Sequence, residues 1–206
     1  MALAITLVMA DHQLSAAIVL AAGMLGAAAL APDGRRHWVA AGIPYAGALG
    51  IAPIVLRSDV ERGFQAILFL FAVVWATDIV AYFVGRAVGG PKLMPKVSPK
   101  KTWSGAIGGT LAATMMGIVV ADVLALSGVL AVAMLAATLS VFAQIGDLFE
   151  SFLKRRFGAK DSSRLIPGHG GLMDRLDGFL AAAAVAALIG LLRGGPDASA
   201  RGLLLW

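Results

Sequence analysis

Six long apolar runs constrain the fold of this chain more than any other feature. A helix needs about 20 mostly apolar residues to cross the hydrocarbon core of a bilayer. Runs of roughly this length, separated by polar segments, occupy Gln13–Ala31, Trp38–Leu56, Phe64–Val84, Gly105–Leu126, Val129–Gly146 and Leu176–Leu192. The sequence therefore predicts an all-α fold, a polytopic integral membrane helix bundle of about six transmembrane helices.

The composition excludes most other classes of protein. Of the 206 residues, 59% are hydrophobic and 14% are charged, whereas soluble domains average about 25% charged residues. So few polar side chains can neither cover a soluble globule nor keep a chain disordered. The chain has no cysteine, which excludes a disulfide framework, a thiolate zinc site and thiol catalysis. Residues 1–10 are apolar but too short to span, and we expect an interfacial or broken helix there.

Basic residues are divided unequally between the two sides that six spans define. Of the 17 Lys and Arg residues, 13 lie in loops 32–37, 85–104 and 147–175, which share one side. The other side carries Arg57, Arg62, Arg193 and Arg201. By the positive-inside rule the first side is cytoplasmic and both termini lie outside. We therefore expect a multi-pass protein of the cell (inner) membrane with a polar cavity facing the cytoplasm. This charge reflects insertion and gives no indication of a nucleic-acid partner.

Small residues are frequent in the predicted spans. Gly105 and Gly109 form a GxxxG pair, a spacing that lets two helix backbones approach closely. We interpret these glycines as helix-packing residues.

The loop after the fifth span is too polar for a simple connector. Asp147, Glu150, Ser151 and Lys154 are three or four residues apart, so they share one face of a helix continuing out of that span. Carboxylates, basic residues and the glycines around His169 are concentrated in the same loop. The histidine is either structural or part of a binding site.

Two more carboxylates, Asp174 and Asp177, stand at the start of the sixth span. Capping is one explanation, because the helix dipole favours negative charge there. A metal site is the other, because Mg²⁺ prefers one or two carboxylates together with phosphate oxygens and water. Nearby Lys, Arg and glycine amides bind phosphate well. Metal, cations and phosphates together are typical of phosphoryl transfer.

The segment from Ser151 to Asp177 provides the most specific signal. It reads SFLKRRFGAKDSSRLIPGHGGLMDRLD over 27 residues and resembles the signature of the phosphatidate cytidylyltransferases, the CDP-diacylglycerol synthases. The positions that carry the resemblance are Ser151, Lys154, Arg155, Lys160, Asp161, His169, Gly170, Gly171, Asp174, Arg175 and Asp177.

A second polar segment is similar to the same family. The stretch WATDIVAYFVGR, from Trp75 to Arg86, leads into a basic loop that contains SPKKTW. Prolines and lysines over Lys92–Lys101 predict a non-helical segment. Taken alone, this basic segment would be a solvated loop or a contact with anionic lipids. Because the signature lies on the same side, the segment is a candidate binding site for the triphosphate or for phosphatidate. Asp78, inside a span, should face the bundle interior or a polar cavity.

The resemblance implies an Mg²⁺-dependent nucleotidyltransferase of phospholipid biosynthesis. Its substrates would be CTP and phosphatidate, and its products CDP-diacylglycerol and pyrophosphate. Residues 1–63 would then form N-terminal transmembrane helices and residues 64–206 a catalytic transmembrane domain. Membrane lipids are expected partners, and a homodimer is an open alternative.

The resemblance also assigns roles to individual residues. The metal ligands are expected to be Asp147 and Asp174, with a second cation as an open alternative. The remaining catalytic residues are expected to be Lys154, Arg175 and Asp177. Substrate contacts are expected from Asp78, Ser98, Lys100, Lys101, Thr102, Glu150, Ser151, Arg155, Lys160, Asp161, His169, Gly170 and Gly171.

A transporter or ion-conducting protein is the alternative from another class. It would use Asp78 and Asp147 as ion sites, because intramembrane carboxylates also mark ion paths. The two halves of the chain show no repeat, and two large polar loops on one side favour a one-sided active site.

Overall fold

The computed structural model describes residues 3, 4, 6, 13–32, 34, 36–158 and 173–206, with side chains from residue 18 in the first helix and from residue 176 in the last long helix. The helices are α1 (Gln13–Leu30), α2 (Arg36–Ser58), α3 (Gly63–Ala87), α4 (Trp103–Val123), α5 (Val129–Arg156), α6 (Met173–Gly194) and α7 (Ser199–Leu204). An antiparallel hairpin of β1 (Lys92–Met94) and β2 (Ser98–Thr102) joins α3 to α4, and a short 3-10 helix (Pro196–Ala198) precedes α7.

Each predicted apolar run corresponds to one of the helices α1 to α6. Within the described ranges, five helices, α2 to α6, are long and apolar enough to cross a membrane. The apolar part of α1 with described side chains, Ile18–Leu30, is shorter. The predicted all-α membrane bundle is confirmed. Most of residues 1–10 lie outside the described residues, so the interfacial helix stays a prediction.

Close glycine contacts bring α3 and α4 together. A Cβ added at Gly105 would lie 2.6 Å from the Ala81 carbonyl oxygen, and one at Gly109 would lie 2.7 Å from that of Thr77. Both distances are far below van der Waals contact, so only glycine allows this approach. The predicted role of the GxxxG pair in helix packing is confirmed.

A second glycine contact aligns α5 with α6. A Cβ at Gly146 would overlap the Ala181 side chain, and one at Gly178 would lie 3.3 Å from the Ala143 carbonyl oxygen. The two glycines precede Asp147 and follow Asp177. The contact therefore places two predicted site carboxylates on neighbouring helices at the same level of the bundle.

The basic loops meet at one end of the bundle. Lys101, at the end of the hairpin, pairs with Asp147 on α5. The rings of Trp38, near the start of α2, and Phe157, just after α5, pack edge to face at 5.6 Å. The described residues that flank the three basic loops thus lie at the same end of the bundle, as the spans predict.

The opposite end is closed by the C-terminal helix. Asp59, between α2 and α3, is 1% exposed. Its Oδ2 accepts hydrogen bonds from the backbone N–H (2.9 Å) and Nε (3.4 Å) of Arg201, and its Oδ1 accepts one from the Glu61 N–H (3.1 Å). Burial raises the pKa of Asp59, but the N–H donors of Arg201, Arg62 and Glu61 and the Arg201 charge lower it further, so the net pKa lies below 3.8.

We expect Asp59→Asn to destabilise the protein in a pH-dependent way. The variant loses charge-assisted hydrogen bonds worth about 1–3 kcal/mol. Because the folded-state pKa of Asp59 is lowered, its stabilisation is complete above the unfolded-state pKa and disappears as the pH falls through the folded value. The difference in Tm between wild type and variant, measured in detergent, should be full at neutral pH and shrink below about pH 4. As a control, Glu61→Gln alters an exposed carboxylate in the same loop and should change Tm little. A Tm difference for Asp59→Asn that stayed constant from neutral pH to below about pH 4 would refute the lowered pKa of Asp59.

Candidate active site

A cavity of about 670 Å³ opens between the hairpin and helices α3, α4 and α5, at the end of the bundle where the basic loops meet. Its size lies within the range usual for small-molecule sites. Its lining combines cations with carboxylates, which is unusual in an apolar bundle. Placing charged groups there costs free energy unless they pair with one another or bind a ligand.

Four cations line the cavity: Arg86, Lys92, Lys100 and Lys101. Arg86 comes from the last turn of α3, and the lysines come from the hairpin. With the cations lie Asp78 from α3 and Asp147 from α5. Lys101 pairs with Asp147 although the two are 46 residues apart.

Thr102 joins the hairpin to α4. Its Oγ1 accepts a hydrogen bond from the Gly105 N–H at 3.1 Å and so caps the helix. A capping Thr typically contributes about 1 kcal/mol. Thr102 is buried. It therefore fixes the position of Lys100 and Lys101, which precede it and line the cavity. The predicted non-helical segment is confirmed. It forms a hairpin, and the pairing of Lys92 with Thr102 was not predicted, because lysine and proline give no signal for strands.

Behind Asp147 lies a second group of charges. Glu150 is buried, and its Oε1 lies 3.5 Å from Lys154 Nζ. Asp177 on α6 is an electrostatic neighbour of both Asp147 and Glu150. Its Oδ1 accepts a hydrogen bond from the Gly178 N–H at 2.7 Å. The face predicted for α5 is confirmed, because the helix continues to Arg156 and carries these residues.

One atom of this group lacks a partner. Glu150 Oε2 is buried and, within the described part of the chain, accepts no hydrogen bond. A buried carboxylate oxygen without a partner costs about 1–3 kcal/mol or more. The carboxyl groups of Glu150 and Asp177 are close enough to share a proton, so either that proton or a cation can offset the negative charge at this position.

The described residues contain no group of three or more acidic or histidine side chains that could hold a metal ion by themselves. Asp174 lies in the first turn of α6, and its side chain is outside the described residues, as is that of Arg175. Carboxylate oxygens are the donors that Mg²⁺ prefers, so the partnerless oxygen and the carboxylates around it fit such an ion chemically.

The predicted site residues fall into three groups. Five of them, Asp78, Lys100, Lys101, Thr102 and Asp147, line the cavity. A second group lies elsewhere on the hairpin and the helices α5 and α6, namely Ser98, Glu150, Ser151, Lys154, Arg155, Asp174, Arg175 and Asp177. The predictions for Lys160, Asp161, His169, Gly170 and Gly171 fall in residues 159–172, outside the described residues.

Sequence reasoning gave no individual role to four polar cavity residues: Tyr82, Arg86, Lys92 and Gln144. The first three belong to the segments that resemble the family, but no role was assigned to them. Gln144 had a signal of its own, because an amide inside an otherwise apolar span should have a polar partner.

Comparisons with known proteins identify the family of this chain. The model of a cytidylyltransferase family matches residues 1–192. A protein of Brucella abortus biovar 1 (strain 9-941) named phosphatidate cytidylyltransferase is 57% identical over 162 residues, which cover 79% of this chain and 60% of the relative. Proteins of the same name from Staphylococcus saprophyticus and Staphylococcus haemolyticus are 42% and 45% identical over 133 and 125 residues, covering 64% and 60% of this chain and 51% and 47% of the relatives. The chain thus spans about half to 60% of the length of these relatives.

Proposed function

Because the chain belongs to the cytidylyltransferase family, we propose that it joins CTP to phosphatidate and releases CDP-diacylglycerol and pyrophosphate. The observation that carries the proposal is the cavity in which four cations meet Asp78 and Asp147. Two polyanionic substrates must approach each other in this reaction, and a cation-lined cavity offsets their repulsion.

The reaction needs positioning and charge neutralisation more than covalent help from the protein. A phosphate oxygen of phosphatidate attacks the α-phosphorus of CTP, and the bond from that phosphorus to the bridging oxygen of the β-phosphate breaks. The electron pair leaves with pyrophosphate. The lipid phosphate is already ionised, so a protein nucleophile is unnecessary.

The cations have distinct environments within the cavity. Arg86 Nη1 donates to the Tyr82 hydroxyl at 3.1 Å, which fixes a planar group suited to phosphate. Lys100 has no carboxylate within ion-pair distance among the described residues, so its charge is available to an anion. Lys101, by contrast, is already paired with Asp147. We assign phosphate binding to Arg86, Lys92 and Lys100. We assign to Lys101 the role of holding the Asp147 carboxylate in position through their ion pair.

We assign Mg²⁺ binding to Asp147 and Asp174, with Glu150 and Asp177 beside them. Held by these residues, Mg²⁺ would supply positive charge that neutralises phosphate oxygens. The partnerless Glu150 Oε2 supports a cation at this point, and the proximity of Asp177 to Asp147 brings the first turn of α6 to the same place. A second cation would bind to the same group of carboxylates.

Transfer of labelled CTP tests the function directly. The purified protein, with phosphatidate in detergent micelles and Mg²⁺, should move label from the α-phosphate of CTP into the lipid phase. CTP labelled in the γ-phosphate should leave its label in the aqueous phase as pyrophosphate. Lipid labelling from the γ-phosphate, or from neither position, would contradict the proposal. The family and the described residues contain nothing that favours the transporter alternative.

We further propose that the cavity faces the cytoplasm from the inner membrane, as the positive-inside rule predicts. Lys96→Cys in the hairpin and Asp197→Cys before α7 place single thiols at exposed positions in a chain without cysteine. An impermeant maleimide should label Asp197→Cys in intact spheroplasts and Lys96→Cys only after lysis. Labelling of both before lysis would refute this orientation.

A further inference from the structure

A chain of hydrogen-bonded polar side chains crosses the apolar interior beneath the cavity. Thr77 Oγ1 lies 2.8 Å from Ser140 Oγ, and both residues are fully buried. Ser140 Oγ continues to Thr110 Oγ1 at 3.4 Å. The chain ends at Gln144, which lines the cavity, and it joins α3, α4 and α5. A buried network of this kind persists only when its members satisfy one another.

The network determines which way the Gln144 amide points. Its Nε2 donates to Thr110 Oγ1 at 3.1 Å and to the Ala106 carbonyl oxygen at 3.3 Å. A carbonyl oxygen only accepts, so the nitrogen must be the atom on that side. The Thr110 hydroxyl gives its proton to the Ala106 carbonyl and is left to accept from the amide. An amide held in this way presents Oε1 away from α4.

Oε1 is therefore the polar atom that Gln144 can offer to the cavity. No donor within the described parts of the chain reaches it, and Gln144 is half-buried rather than exposed. The amide carbonyl is an acceptor without a hydrogen to give. Asp78, which also lines the cavity, is a second acceptor when ionised.

The two acceptors lie deeper in the bundle than Arg86 and Lys92. Asp78 lies nine residues before the end of α3 at Ala87, or about 13 Å along the helix at 1.5 Å per residue. Gln144 contacts Ala106, in the first turn of α4. Arg86 and Lys92 lie at the end of α3 and in the hairpin. On α5, Gln144 lies three residues, or about 4.5 Å, further into the bundle than Asp147. Gln144 and Asp78 are thus on the inner side of Arg86 and Lys92, while Lys101 lies near both Asp78 and Asp147.

We infer that Gln144 is a specificity-determining residue that accepts a hydrogen bond from the amino group of the cytosine base, with Asp78 as the neighbouring acceptor. The inference rests on the proposed function. A nucleoside triphosphate has anionic phosphates, which the cations would bind, and a base, which would lie against the two acceptors. Cytosine offers an amino donor where uracil has a carbonyl oxygen, and that oxygen would face two acceptors and stay unpaired. A site built to accept from a donor discriminates strongly against the analogue that lacks it.

The test compares Gln144→Met with wild type on three nucleotides. Met has a similar length and neither donates nor accepts an amide hydrogen bond, while Ala106 and Thr110 can still bond each other. We expect KM for CTP to rise about 10-fold or more, as for loss of one hydrogen bond to a substrate, and kcat to change much less. The preference for CTP over UTP should fall about 10-fold or more, because UTP no longer meets that acceptor. The ratio of dCTP to CTP activity should stay at its wild-type value.

Thr138→Val is the matched control, since Thr138 lies on the same helix, is exposed and bonds only its own helix carbonyl. It should leave all three ratios unchanged. A Gln144→Met protein with lower activity but the wild-type CTP-to-UTP ratio would overturn the inference in favour of a structural role. A change confined to the dCTP-to-CTP ratio would overturn it in favour of a ribose contact. Failure of the proposed function gives a different result, namely a wild-type protein that consumes no CTP.

Discussion

Asp147→Asn is expected to remove most CTP-dependent activity, on the order of 100-fold or more, as when a group that stabilises transition-state charge is lost. Asn is nearly isosteric with Asp, so packing at the Gly146 contact should persist. The change removes the negative charge that Mg²⁺ requires and releases Lys101 from its ion pair. Steady-state kinetics on detergent-purified variant, with Tm as the check on folding, measures the effect.

Asp174→Asn separates the metal site from the capping explanation. Asn caps helices as well as Asp does, so a capping role predicts a folded protein with unchanged activity, and a ligand role predicts a loss as large as that of Asp147→Asn. Asp122→Asn is the matched control, because Asp122 is exposed near the far end of α4 and should leave turnover unchanged. Near-normal turnover in a well-folded Asp174→Asn protein would remove this residue from the metal site.

Lys101→Ala is expected to lower kcat/KM by about 10- to 100-fold, in line with loss of a charge that orients substrate or ligand. Lys100→Ala should act mainly by raising KM, since Lys100 is not committed to an ion pair among the described residues. Lys96→Ala removes the same charge from the same hairpin without touching the cavity. If these lysines only determined topology, all three variants would insert less well and show normal kinetics once purified.

The ion pair itself can be isolated by a double-mutant cycle. If Lys101 acts through Asp147, then Lys101→Ala should cost far less in a background that already carries Asp147→Asn. Additive losses would show that the two residues act separately, with Lys101 contacting substrate instead.

Sequence patterns predicted the helices of this protein well. Apolar length is a property of consecutive residues, so all six predicted runs form helices near their predicted bounds, and five of these helices are long and apolar enough to cross a membrane within the described residues. The three- and four-residue spacing of Asp147, Glu150 and Lys154 likewise placed them on one face of α5, because helical periodicity is local. The resemblance to the family added Asp78, Lys100 and Thr102, which now line a single cavity.

Other features depend on how helices meet, and no local pattern encodes that. The contact between Lys101 and Asp147 and the hydrogen bond between Gln144 and Thr110 both join segments far apart in sequence. Whether a polar residue in a span has a partner is decided by the residue on the next helix.

The sequence by itself determined which segments form the long apolar helices, which end of the bundle is basic and which family the chain resembles. Only the tertiary structure decided which of these charges share a cavity. The reason is physical: glycine contacts at Gly105 and Gly146 let backbones approach, and that approach sets the register between helices. A register shift of one turn would move a carboxylate by about 5.4 Å, enough to separate Asp147 from Lys101.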